Sequence, residues 1–105
     1  MAVIFGADRE WWVQNRVFRE ILAADPAAAS RTEQARDRLL GGRSIGYLNL
    51  SDLDATLRDE VLDILRTGIG RVLEAEEAEE QTPEVRETVD FYRTLRDTAS
   101  APVAG

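Results

Sequence analysis

The densest supply of reactive groups in this chain is acidic: Glu74, Glu76, Glu77, Glu79 and Glu80 in one run, then Glu87 and Asp90. Carboxylates at such spacing can hold a divalent cation if they converge. They can move protons if burial raises their pKa, or they can form a solvated face that docks a basic partner. A second group is aromatic and cationic: Trp12, with Arg16 four residues on and Arg19 seven residues on. Other chemistry is scarce, because the sequence has no histidine, no cysteine and, among its 13 basic residues, no lysine. That removes the commonest general base, the thiolate nucleophile and any sulfur-ligated zinc site.

The run Glu76-Glu77-Ala78-Glu79-Glu80 followed by Glu87-Thr88-Val89-Asp90 resembles the EExxE and ExxD pair of the MazG-type all-α nucleoside triphosphate pyrophosphatases. The resemblance implies a helical fold in which Glu77, Glu80, Glu87 and Asp90 hold magnesium over the phosphates of a nucleotide. The residues themselves give another reading. Val85, Val89, Tyr92 and Leu95 form one helical stripe, which leaves Glu87 and Asp90 on the opposite, solvent side. On that reading no metal and no cofactor is held, and the acidic run is a docking surface in which Glu76, Glu77 and Glu80 meet a partner.

Trp12 stands about 100° from Trp11 on a helix and shares its flank with Arg16 and Arg19. Tryptophan and arginine are enriched at the energetic centres of protein interfaces, so Trp12, Arg16 and Arg19 are assigned to partner contact. The competing reading covers Trp12 within the chain itself, with Arg16 stacked on its ring.

The elements that must position these groups follow from apolar periodicity and caps. Residues 51–80 form the expected central helix, with Ser51 as N-cap. Its face includes Leu53, Leu57, Val61, Ile64, Leu65, Ile69 and Leu73. About 29 residues of unbroken helix would span roughly 43 Å, beyond the roughly 30 Å expected for a domain this size. The helix is therefore expected to kink at residues 67–70, where Gly68 and Gly70 fall, or to reach into a second subunit. Close approach of a neighbouring helix is the alternative reason for Gly68.

Helix one is expected over residues 9–24 with Asp8 as N-cap, burying Trp11, Val17, Phe18, Ile21 and Leu22. Helix two covers about residues 31–40 from the Ser30-Arg31-Thr32-Glu33 capping box to Gly41 as a left-handed cap. The segment from Gly41 to Gly46 lacks either glycine spacing of a phosphate loop and reads as a connector. Thr82-Pro83-Glu84 opens helix four, which folds back on the central helix. Arg66 is expected to reach Asp63 on the outer side of the central helix.

These elements predict an all-α, four-helix domain over residues 1–98, with residues 99–105 as a disordered tail. The alternative is α+β, with residues 3–5 pairing as a short strand with residues 45–49. Net charge of −7 and a pI near 4.6 would repel a nucleic-acid backbone at long range. The same charge opposes a helix-turn-helix reading of helix two, the Gly41-Gly42 turn and the acidic helix after it. The N-terminal apolar run is too short for a secretory signal, and no segment approaches membrane length. The expected protein is therefore cytoplasmic, touches neither nucleic acid nor membrane, and binds another protein or a second copy of itself without catalysis. An adaptor, an inhibitor or an immunity-like module would have these properties.

Overall fold

Val3, Phe5, Phe18, Ile21, Leu50, Val61, Leu65 and Ile69 have no exposed surface and form the centre of the chain. In the computed structural model the described residues are 1–6 and 9–100. Four helices and a three-stranded mixed sheet surround that centre, which agrees with the α+β alternative better than with a purely helical domain. The order is β1 (Ala2–Gly6), β2 (Arg9–Trp12), α1 (Asn15–Ala23), α2 (Glu33–Ile45), β3 (Tyr47–Asn49), α3 (Ala55–Glu77) and α4 (Pro83–Ser100).

The strands lie in the order β2-β1-β3. The expected pairing of the N-terminal run with the segment before Leu50 is present, parallel, with Val3 opposite Leu48. The second partner is a departure. Residues 9–12 were expected to begin helix one, yet they form a strand antiparallel to β1, with Ala2 opposite Trp12 and Val3 opposite Trp11. Strand alternation then separates the two tryptophans. Trp11 faces the core with Val3 and Leu48, packs edge-on against Phe5 at 4.8 Å and donates its indole N–H to the Leu95 carbonyl at 3.1 Å. Trp12 faces outward and is 72% exposed. Helix α1 therefore starts only at Asn15, after extended Gln14, and the Asp8 cap lies outside the described residues.

Helix α2 also shifts. Its cap is Thr32, whose hydroxyl accepts from the Ala35 amide at 3.2 Å, in place of Ser30. It runs through Gly41 and Gly42 and ends at Gly46, whose φ of 79° supplies the left-handed cap expected at Gly41. Packing overrides the low helix propensity here: a Cβ on Gly42 would lie 3.2 Å from both the Leu48 Cβ and the Tyr47 carbonyl of β3. The connector and the turn of the helix-turn-helix reading are both helical. Between α2 and α3 lie β3 and a short 3-10 turn, Leu50–Asp52.

Helix α3 begins one turn later than expected, because the Asp54 carboxylate, not Ser51, caps it by accepting from the Leu57 amide at 3.0 Å. It is helical throughout its 23 residues, including 67–70. Its length is about 34 Å, inside the 41 Å long axis of the molecule. Nothing in its length then calls for a second subunit. Gly68 is where α1 comes closest: a Cβ there would sit 2.1 Å from the Ile21 carbonyl oxygen.

Helix α4 buries Val89, Tyr92 and Leu95 as the stripe requires, with Val85 partly covered. It runs antiparallel to α3, since Arg93 meets Glu77 at 3.5 Å while Arg66 donates to the Ala99 carbonyl at 2.6 Å. The tail expected over residues 99–105 does not include Ala99 and Ser100. Ala99 is fully buried and the helix continues through Ser100, while residues 101–105 lie outside the described residues. Among the described residues no helix is long and apolar enough to cross a membrane.

Candidate functional site

The two surface features of the sequence meet in one open groove. β2 supplies Trp12, α1 supplies Arg16 and Glu20, the end of α3 supplies Glu76, and the first turns of α4 supply Glu87, Thr88, Phe91 and Tyr92. The groove holds about 650 Å³. Its apolar surface combines Val13 and Val17 with three aromatic rings, Trp12 being 72% and Phe91 40% exposed and Tyr92 a buried floor in edge contact with Phe91 at 5.4 Å. Its charge is acidic, with Glu20, Glu76 and Glu87 against the single guanidinium of Arg16.

Local folding explains why these groups stay apart from the core. The extended backbone of β2 sends Trp11 inward and Trp12 outward, so a bulky ring stands at the groove's edge with little cover. Helix α4 buries the Val89 and Tyr92 side and so presents Glu87, Thr88 and Phe91 along its flank. The Tyr92 hydroxyl donates to the Glu20 carboxylate at 3.4 Å. Burial first, and then the Glu20 and Glu76 carboxylates, push the Tyr92 hydroxyl up to about 12. Arg16 opposes that shift without cancelling it, so the groove floor lies in a net negative field.

The residues singled out from sequence divide. Trp12, Arg16 and Glu76 line the groove. Arg19 does not: it borders a neighbouring cleft with Asn15, Arg16 and Arg43. The shared helical flank expected for Trp12, Arg16 and Arg19 is therefore replaced by a strand residue beside two helix residues. Glu77 points away and pairs with Arg93, and Glu80 lies exposed in the turn after α3, where its carbonyl accepts from the Thr82 amide at 2.8 Å. The end of α3 is tied by Gln81, whose side-chain amide donates to the carbonyls of Glu76, Glu77 and Glu79.

The four carboxylates that magnesium would need are not gathered. Glu77 and Asp90 flank Arg93 at 3.5 and 3.9 Å, Glu87 borders the groove, and Glu80 stands beyond the helix end. Among the described residues no cluster of three or more acidic residues has the geometry to hold a metal ion.

Glu20 and Phe91 are groove residues that sequence reasoning did not assign. Phe91 was legible as the edge of the helix-four stripe. Glu20 carried no signal, because its place beside Tyr92 depends on α1 and α4 both packing on α3.

A second, smaller pocket of about 150 Å³ lies between α1, α2 and α3, walled by Leu22, Leu39, Leu40 and Ile64. At its side Arg31 forms a fork with Asp25, at 2.9 and 3.1 Å, and reaches Asp63 at 2.6 Å. Asp25 also accepts from the Ala27 amide at 3.1 Å, so this network has its needs met internally. The Arg31 hydrogen bond holds the Asp25 carboxyl below its ordinary value, and Asp25 in turn raises Arg31. The expected Asp63 and Arg66 network is thus rearranged: Asp63 serves Arg31, and Arg66 reaches α4. No family model, no curated protein and no solved structure matches this chain.

Proposed function

We propose that this chain is a non-catalytic protein-binding module whose groove receives an arginine or lysine side chain from an extended basic segment of a partner. One observation carries the reading: three exposed or half-exposed carboxylates and three aromatic rings, drawn from four separate elements, line one concavity and leave their charge unpaired among the described residues. Aromatic faces attract cations through their quadrupole, worth roughly 0.5–2 kcal/mol, and the carboxylates add direct attraction. A cation entering this groove would gain both. The net charge of −7 would also speed the approach of a basic partner.

The test is calorimetric titration of the full chain with a short peptide carrying one arginine between apolar residues, beside a twin with glutamate in its place. Binding of the arginine peptide should be saturable and weaken on adding salt. Trp12→Ala and the pair Glu76→Gln with Glu87→Gln should each reduce it about tenfold or more. Equal binding of the glutamate twin, or full binding by Trp12→Ala, would refute the reading.

A second reading, association with another copy, is favoured by the outer face of the sheet. Trp12, Ala2 and Tyr47 occupy one row across β2, β1 and β3, and Ile45 next to it is 77% exposed. Sedimentation equilibrium separates the two readings, because Tyr47→Arg and Ile45→Arg would dissolve such a dimer and leave peptide binding in the groove unchanged.

A further inference from the structure

We propose that the cleft where the start of α1 meets the end of α2 is a binding site for a phosphate monoester, held by Arg16, Arg19 and Arg43. The cleft holds about 220 Å³ and is lined by Asn15 and these three arginines. Among the described residues none of the three guanidiniums has a carboxylate partner, although the chain carries 20 acidic residues against 13 basic ones. Arg31, Arg71, Arg93 and Arg96 are ion-paired, and Arg36, Arg38, Arg58 and Arg86 also have no ion pair among the described residues, so what distinguishes the cleft is that three such guanidiniums line one cavity. Gathering three like charges without a counter-charge raises their mutual repulsion. An acid-rich surface that leaves them so is complementary to an external anion.

Neighbouring features point the same way. Asn15 opens a nine-residue helix whose first turn has no side-chain cap and no acidic residue, so the positive end of its dipole borders the cleft uncompensated. Arg16 in that turn works against the dipole, so the helix gains no stability from its position. The cleft is smaller than the roughly 300 Å³ and more typical of a drug-sized ligand, and suits one compact group.

The number and shape of the donors select the anion. A phosphate monoester carries about −1.5 to −2 charge near neutral pH and three terminal oxygens, whereas a carboxylate offers two oxygens and one charge. Guanidinium forks match the edges between phosphate oxygens, and three forks around one tetrahedral group leave no terminal oxygen unbound. The net charge of the chain does not forbid this: at 0.1 M salt distant charges are screened beyond about 10 Å, while arginines in contact are not. A free small phosphate monoester and a phosphorylated side chain on a partner share this chemistry. The site stands apart from the groove reading, because Arg19 and Arg43 lie outside the groove. Arg16 borders both and is left out of the test.

The experiment is calorimetric titration of the full chain at low ionic strength with inorganic phosphate, with a phosphoserine peptide and with its unphosphorylated twin, chloride serving as control. Phosphate should bind saturably at one site. Arg19→Ala and Arg43→Ala should each weaken it about tenfold, and Arg58→Ala, outside the cleft, should leave it unchanged. Arg19 is exposed, so Arg19→Ala keeps the test valid even if Arg43→Ala destabilises the fold. A phosphoserine peptide that binds more tightly than inorganic phosphate, with a silent twin, identifies the source as a phosphorylated partner; equal or weaker binding identifies a free phosphate ester. Absence of saturable binding at millimolar phosphate would overturn the proposal, as would equal weakening by Arg58→Ala or survival of binding in the Arg19→Ala, Arg43→Ala double variant.

Discussion

The junction of α1, α2 and α3 and the groove between β2, α1 and α4 contain the same kinds of residues, arginines, carboxylates and apolar side chains, arranged to opposite ends. At the junction the central charges meet one another: Arg31 forks onto Asp25, whose side chain is only 2% exposed, and extends to Asp63. Thr32 caps α2 while its amide and hydroxyl donate to Glu60 of α3 at 2.8 and 2.6 Å. In the groove and its neighbouring cleft, Glu20, Glu76 and Glu87 stand on one side and Arg16, Arg19 and Arg43 on the other without an ion pair among the described residues. The difference separates charge that holds the fold from charge left available. Removing the first kind should lower stability, and removing the second should lower binding.

The largest effect on stability belongs to the junction. Gly68→Ala would set a methyl against the Ile21 carbonyl, where backbone and not a flexible side chain must yield. A loss of about 3 kcal/mol or more is expected in urea unfolding, at the upper end of overpacking effects. A smaller loss would mean that α1 and α3 separate more easily than their close contact implies.

Arg31→Ala comes next. It leaves the Asp25 carboxylate enclosed and unpaired, and a loss of about 3 kcal/mol at neutral pH is expected. Most of this comes from the Asp25 arm, since Asp63 is 61% exposed and its contact with Arg31 contributes little. The pH dependence has a fixed sign. Asp25 titrates below its ordinary 3.8 in the folded chain, so its contribution is present above that value and disappears as pH falls below it. Asp25→Asn should flatten that part of the acid unfolding profile; an unchanged profile would remove Asp25 from the junction's support.

Tyr92 reports on the groove. Its hydroxyl is held up to about 12, so the neutral form is favoured in the folded state and stability should fall as pH rises from the ordinary 10 towards 12. In an ultraviolet titration Glu76→Gln should lower the Tyr92 midpoint, because a carboxylate that opposes ionisation is gone. A midpoint that stays in place would mean that Glu76 is too distant to set the field. The smallest stability effects should come from Glu87→Gln and Arg19→Ala, within about 0.5 kcal/mol of the parent chain.

Those regions were unequally legible in the sequence. Helix α4 was readable because Thr82 and Pro83 mark its start and its stripe is clean, and the face of α3 was readable for the same reason. Strand β2 was not. Trp11, Val17, Phe18 and Ile21 fit a helical stripe, and only the shorter alternation of Trp11 and Val13 with Glu10, Trp12 and Gln14 hinted at a strand. Pairing with Ala2 and Val3 decided between them, and such long-range pairing is invisible in a local window. The extension of α2 through Gly41 and Gly42 depended likewise on β3 lying against Gly42. The groove inherits the first difficulty: Trp12 and Glu76 were visible as unusual residues, but their meeting depends on β2 being a strand.

The most direct test of available charge in the groove is a titration of isotopically labelled protein with the single-arginine peptide, following the Trp12 indole N–H and the α4 amides by nuclear magnetic resonance. Saturable shifts confined to Trp12, Glu76 and residues 87–92, absent in the Glu76→Gln, Glu87→Gln variant while its melting temperature is kept, are the predicted result. Shifts that centre on the Arg31 junction, or that persist undiminished in that variant, would contradict the account.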